Sequence, residues 1–327
     1  MGIKLLDNRK SWIDALRAFA LILVIIGHQI SNSAFFVFTS PVKIPLFFAV
    51  TGYVFNDKNG DSAAFFNSLF KKIVIPWLAL TLIPAATASL YLGFAFFVEQ
   101  AKSVLIGKDY WYMPCCIMAE ILWFYSKKYF RNVYSLIVIT IGMFFVAYAM
   151  TQKGILETFM ISRACSVQLF ICLGFCIRHY GKAAKNAHPT VIVLLSSIYM
   201  LLGLLSLKLY PGQCLDVHLG RYYSIPICLG MIVLGVIVLF CAAERKAVFP
   251  KWLVFIGQNT LLFYLWNAYV KKMFMLGLKL LKITLPDNLM GTIITTVFIL
   301  CGCSVCAIIV NRYFPRLVGK TSTKAKG

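Results

Sequence analysis

Ser11-Trp12-Ile13-Asp14-Ala15-Leu16-Arg17-Ala18-Phe19-Ala20-Leu21-Ile22-Leu23-Val24-Ile25-Ile26-Gly27-His28-Gln29 is the stretch that decides the fold. It is apolar and long enough to cross a bilayer, yet it holds an arginine and a histidine. Ionisable groups are costly in hydrocarbon, so they usually serve a site or a pathway. Eleven helical steps make about three turns, so Arg17 and His28 leave one face of the helix, about 16 Å apart along its axis. The pair forms a polar stripe reaching from one membrane surface towards the middle.

The rest of the chain reads the same way. Of 327 residues, 61% are hydrophobic and 13% charged, about half the charged share of a soluble domain. Apolar runs of membrane length recur from end to end, which predicts an all-α, polytopic transmembrane bundle. Ten spans are expected, near 12–32, 42–56, 72–94, 111–126, 132–150, 161–178, 189–207, 222–242, 252–270 and 288–311. The second is short, contains Pro45, and either breaks or extends back towards Phe35. No long polar block separates the runs, so residues 1–318 read as one transmembrane domain and 319–327 as a short basic, disordered tail. The N-terminus lacks a small-residue cleavage pattern, so the first helix is expected to be retained.

The net charge of +21 does not point to nucleic acid, because the basic residues sit between apolar runs. With both termini cytoplasmic, inner segments carry twice as many Lys and Arg as outer ones, as the positive-inside bias requires. Three outer segments, 95–110, 208–221 and 271–287, are long enough to contribute to a site. Most of the eleven cysteines lie in apolar runs and act as small hydrophobes. Neither they nor the histidines have metal-site spacing.

Asp14 and Arg17 are adjacent on the first helix, so Asp14 can orient Arg17 while Arg17 still offers donors to a phosphate. His28 is the natural proton acceptor for a hydroxyl nucleophile. The plainer reading is interhelical packing, with Arg17 extending to the headgroups. Lys71 and Lys72 belong to the same membrane face as Arg17. Glu120, in the fourth span, either pairs with a base or orients His28. Arg163, at the start of the sixth, either contacts an acceptor or snorkels. Trp111, Tyr112 and Trp123 suit an interfacial aromatic belt, and the first two also suit stacking on a sugar. Asn259 and Tyr264 are polar groups in a late span, where amides commonly link helices. His218, near Asp216 and Arg221, reads as an outer-loop surface residue.

Several motifs then carry a resemblance. Leu16-Arg17-Ala18-Phe19-Ala20 through Gly27-His28 is similar to the first-helix signature of the acyltransferase 3 family. Ile44-Pro45-Leu46-Phe47-Phe48-Ala49-Val50-Thr51-Gly52-Tyr53 resembles its second-helix pattern. Lys71-Lys72 with Pro76-Trp77, Asp109-Tyr110-Trp111-Tyr112-Met113-Pro114, and Ile256-Gly257-Gln258-Asn259-Thr260 with Tyr264-Leu265 resemble later segments.

The resemblance implies a multi-pass enzyme of a bacterial inner membrane that moves an acyl group, most often acetyl, onto a carbohydrate hydroxyl. The implied cosubstrate is acetyl-CoA, with no bound cofactor. The implied acceptor is an envelope glycan or its lipid-linked precursor. The family's functional residues fall on Arg17, on the CoA side, and His28, near the acyl carbonyl. Lys71 and Lys72 are expected beside Arg17 to hold donor phosphates. One departure stands out: the family's late helix often carries a histidine after its Tyr-Leu pair, and this chain has Asn267. An amide can keep a hydrogen bond but cannot shuttle a proton. Export of polysaccharide or lipid-linked sugar is the alternative function.

Overall fold

The computed structural model describes residues 10–318 except 31, 58–59, 156–157, 182–187, 247 and 287. The expected basic tail, together with Lys4, Arg9, Lys58, Lys182 and Lys185 of the charge comparison, lies outside the described residues. Among those described the regular structure is helical, apart from one isolated bridge between Asp216 and Arg221.

The helices are α1 (Ser11–Gly27), α2 (Ser33–Val54), α3 (Ser62–Leu69), α4 (Ile75–Leu92), α5 (Phe94–Ile106), α6 (Tyr112–Tyr129) and α7 (Val133–Gln152). They continue with α8 (Ile161–Ser166), α9 (Gln168–His179), α10 (Pro189–Leu209), α11 (Ile225–Arg245), α12 (Lys251–Gln258), α13 (Thr260–Leu280) and α14 (Leu289–Tyr313). Seven described stretches are long and apolar enough to cross a membrane, among them α2, α7, α10, α11 and α14. α1, with 17 residues, sits at the lower limit of a spanning helix. The chain is a multi-pass membrane protein.

The second span takes the longer of its two expected forms, extending back past Phe35 unbroken, and other expectations change. α2 starts at Ser33 and runs through Pro41 and Pro45, which buried membrane helices tolerate because neighbours satisfy the freed carbonyls. The segment 95–110 is largely the helix α5. The ninth span is two helices, α12 and α13, hinged at Asn259. α13 then continues to Leu280, so most of 271–287 is helical as well. The sixth span is likewise divided, between α8 and α9 at Val167.

α1 lies between two apolar clusters. Trp12, Leu16 and Ala20 join the first, with Phe48, Trp123, Phe170 and Phe240. Ala18, Leu21 and Ile25 join the second, with Trp77, Phe263 and Ile299. Burying both flanks leaves the stripe through Arg17, Val24 and His28 to face internal space. Small residues let backbones close around it, as in membrane helix packing generally. A Cβ on Gly52 would lie 1.9 Å from the Ile171 carbonyl oxygen, and one on Gly174 would lie 1.7 Å from that of Ala49, so α2 and α9 touch backbone to backbone. Gly257 does the same for α12 against Asp14 of α1.

Trp123 is fully buried, in the first cluster. It is a core residue, which corrects the aromatic-belt reading. α10 is the most lipid-exposed span, packed against α11 and α2 with little of its surface covered.

Candidate active site

Two cavities flank the middle of α1. The first, of about 540 Å³, is lined by Arg17, Lys72, Glu120, Thr51, Cys116 and Gln258, among others. These side chains come from the N-terminal half of α1, the turn before α4, the C-terminal part of α2, the N-terminal half of α6 and the end of α12. Val318, in the last described turn, completes the wall. The second cavity, of about 510 Å³, is lined by His28, Lys43, Trp111, Asp216, His218 and Asn267, among others. His28 follows the end of α1, Lys43 is midway along α2, Trp111 precedes α6, Asn267 is on α13, and Asp216 and His218 lie in the loop before α11. Val24, Ile44, Tyr112 and Tyr264 line both cavities and so form the wall between them.

In the first cavity, an Arg17 guanidinium nitrogen lies 3.6 Å from a carboxylate oxygen of the buried Asp14. Asp14 thus stands behind Arg17, and Arg17 faces the cavity. Lys71 and Lys72 lie in a single π-helical turn, Phe70–Val74, a distortion that often marks functional sites. Both lysines are exposed, and of the two only Lys72 lines the cavity. Cys116 and Glu120 follow Tyr112 at four-residue intervals along α6. The Cys116 thiol donates to Glu120 at 4.0 Å. Glu120 therefore belongs with Arg17 and Lys72, and not with His28.

In the second cavity, His28 caps the C-terminus of α1. The Lys271 ammonium donates to its carbonyl at 3.4 Å. The Lys43 ammonium sits 4.7 Å from the Phe36 ring centroid and 3.5 Å from where a Cβ on Gly27 would be. Asp216 supplies the opposing charge near Lys43. Trp111 and His218 stack with centroids 4.6 Å apart and planes 21° from parallel. Asn267 donates from its amide nitrogen back to the Phe263 carbonyl at 3.2 Å and to that of Tyr264. It occupies the cavity wall where the family resemblance leads one to expect an imidazole.

Arg163 and Asn259 lie in neither lining. Arg163 is 5% exposed, so it does not snorkel at an interface. It donates to the His218 carbonyl at 2.6 Å, to Ser162 at 3.0 Å, and to Thr151. Its position is behind the loop that carries His218, which corrects the expectation of direct acceptor contact. The Asn259 amide nitrogen donates to the Phe255 carbonyl, and its oxygen accepts from Asn311, both at 2.8 Å. It links α12, α13 and α14 at the hinge.

Reading the sequence missed Lys43 and undervalued His218. Lys43 is an ionisable residue inside α2, so the argument that singled out Arg17 applied to it equally. Starting the second span at residue 42 hid it as an edge charge. No local signal announces the stack of His218 on Trp111.

The fold and the two cavities define a multi-pass membrane protein with polar space towards each end of α1 and an aromatic wall between. The model of the acyltransferase domain family matches residues 10–311, so the chain belongs to that family and is an acyltransferase. Comparison with curated proteins and with solved structures finds no match.

Proposed function

We propose that the protein transfers acetyl from acetyl-CoA to a hydroxyl of a carbohydrate or glycolipid acceptor in the envelope of a bacterium, acting in the inner membrane. The observation that supports this reading is the pair of cavities at opposite ends of α1, divided by Val24, Ile44, Tyr112 and Tyr264. The donor enters the Arg17 cavity, on the face where the sequence's positive bias lies. Arg17 and Lys72 there suit an anionic donor. The acceptor enters the His28 cavity.

The acyl end of the donor reaches between Tyr112 and Tyr264 into the His28 cavity, where His28 takes the proton from the acceptor hydroxyl as the hydroxyl oxygen attacks the thioester carbonyl. The tetrahedral intermediate then expels the CoA thiolate, which takes up the proton, leaving an O-acetyl ester and free thiol. Tyr264, on the shared wall, is our candidate for steadying the oxyanion. Placing the aromatic wall between the cavities limits water at the thioester, which favours transfer over hydrolysis.

The test is radiolabelled acetyl-CoA with the purified protein in proteoliposomes, together with mass spectrometry of envelope glycans from cells with and without the gene. Label in a glycan, and a missing mass of one acetyl group, support the reading. Glycan crossing the membrane with no acetyl-CoA consumed overturns it in favour of transport.

A further inference from the structure

The Arg17 cavity has a neighbour across Lys72. It shares Thr51, Val54, Lys72, Ile73 and Glu120 with a smaller hollow of about 210 Å³. That hollow in turn shares Phe55 and Asn56 with a third cavity, of about 530 Å³, which adds Asp57, Lys127, Phe175, Arg178 and His179. Three neighbouring hollows thus lie in series along the end of α2, from Arg17 to the ends of α6 and α9, each bordering the next across shared side chains.

The distal cavity is built from charge and flat rings. The Lys127 ammonium lies 4.3 Å from the Phe175 centroid. The Phe175 and His179 rings are within 20° of parallel, 6.2 Å apart. Arg178 donates one guanidinium nitrogen to the carbonyls of Phe55 at 2.9 Å and Tyr53 at 3.3 Å, which fixes its charge at the end of α2. None of these residues has a part in the transfer chemistry. Cations beside an aromatic surface suit a phosphate ester joined to a purine. Asp57 makes the cavity less than uniformly basic, and it can accept from a ribose hydroxyl or an adenine amine.

We infer that the distal cavity is the nucleotide subsite of the donor, holding its 3′-phosphorylated adenosine diphosphate while the thioester arm lies in the Arg17 cavity. This rests on the reading that the donor is an acyl-CoA entering past Arg17. The length of coenzyme A makes a second compartment necessary: once the arm fills the first cavity, the nucleotide has to lie beyond it. The row of hollows along α2 places the distal cavity where that nucleotide would lie.

The test measures binding of CoA, dephospho-CoA and 4′-phosphopantetheine to the full-length protein in neutral-lipid nanodiscs, for wild type, Lys127→Ala and His179→Ala. Arg178 is left intact because it also ties α9 to α2. Lys127→Ala is expected to weaken CoA about tenfold, the size of one charge-assisted hydrogen bond. It should shrink the preference for CoA over dephospho-CoA and leave phosphopantetheine binding unchanged. His179→Ala should weaken both nucleotide-bearing ligands and spare phosphopantetheine. If wild type binds CoA and both variants keep its affinity and preference, the subsite is overturned while the donor reading stands. The same holds if Lys127 affects only binding of anionic lipid vesicles. If wild type binds none of the three ligands, the donor reading falls, and the subsite with it.

Discussion

Tyr112 and Tyr264 meet edge to face with ring centroids 5.4 Å apart, and together they stand between the cavity that holds Arg17 and the one that holds His28. The polar stripe of α1 is thus divided at Val24, not continuous. Phe47 and Phe48 brace Tyr112 at 5.7 and 5.4 Å. Removing the ring should open the wall. Tyr112→Ala is expected to raise acceptor-independent hydrolysis of acyl-CoA while transfer falls. Thiol release measured without acceptor checks this, and unchanged hydrolysis would sink the idea that the wall excludes water.

His28→Ala should lower transfer by about 10²–10⁴-fold, the usual range for general-base catalysis. Acyl-CoA affinity should change little, because His28 lines only the second cavity. Transfer rate and donor binding are to be measured on the same preparation. Full activity would remove His28 from the mechanism.

Arg17→Ala should weaken acyl-CoA about tenfold, as loss of one charge-assisted contact does. Arg17→Lys should restore only part of it, since an ammonium cannot make a bidentate contact. Lys72→Ala should act in the same direction and Lys71→Ala much less, because only Lys72 lines the cavity. Equal effects of the two lysines would contradict the geometry of the π-helical turn.

Arg163→Met should raise the acceptor KM and leave donor affinity unchanged. The guanidinium holds the His218 carbonyl from behind the loop that lines the second cavity. Steady-state kinetics varying each substrate in turn separates the two effects. A change confined to the donor would place the loop's role elsewhere.

Gly174→Val should destabilise the protein by at least about 1–3 kcal/mol, the common range for overpacking, because even a Cβ would overlap the Ala49 carbonyl. Gly27→Ala is the contrasting case. Its nearest neighbours would be the Phe36 ring at 3.4 Å and the Lys43 ammonium at 3.5 Å, so it should fold normally. Thermal melting in detergent compares the two, and equal stability would mean that α2 and α9 do not close as described.

The helices themselves were legible because hydropathy is a local property. So was the placing of Arg17 and His28 in one apolar run, since an ionisable group there is visible without a partner. Lys72 could not be told from Lys71, because a π turn shifts the facing of residues by an amount that propensity does not reveal. Asn259 read only as a polar amide in a single span, whereas it is the hinge between two helices, with Asn311 of α14 as its partner.

From the sequence alone came the membrane class, the family motifs, and the arginine and histidine of the first apolar run. Each needs only residue type and short spacing. The tertiary structure alone decided that Arg17 and His28 face different cavities, that Glu120 sits with the first and His218 with the second, and that two tyrosines divide them. Those facts depend on which helices pack side by side. The walls join residues from opposite ends of the chain, and close backbone contacts such as Gly52 against Ile171 set the spacing that leaves the cavities open.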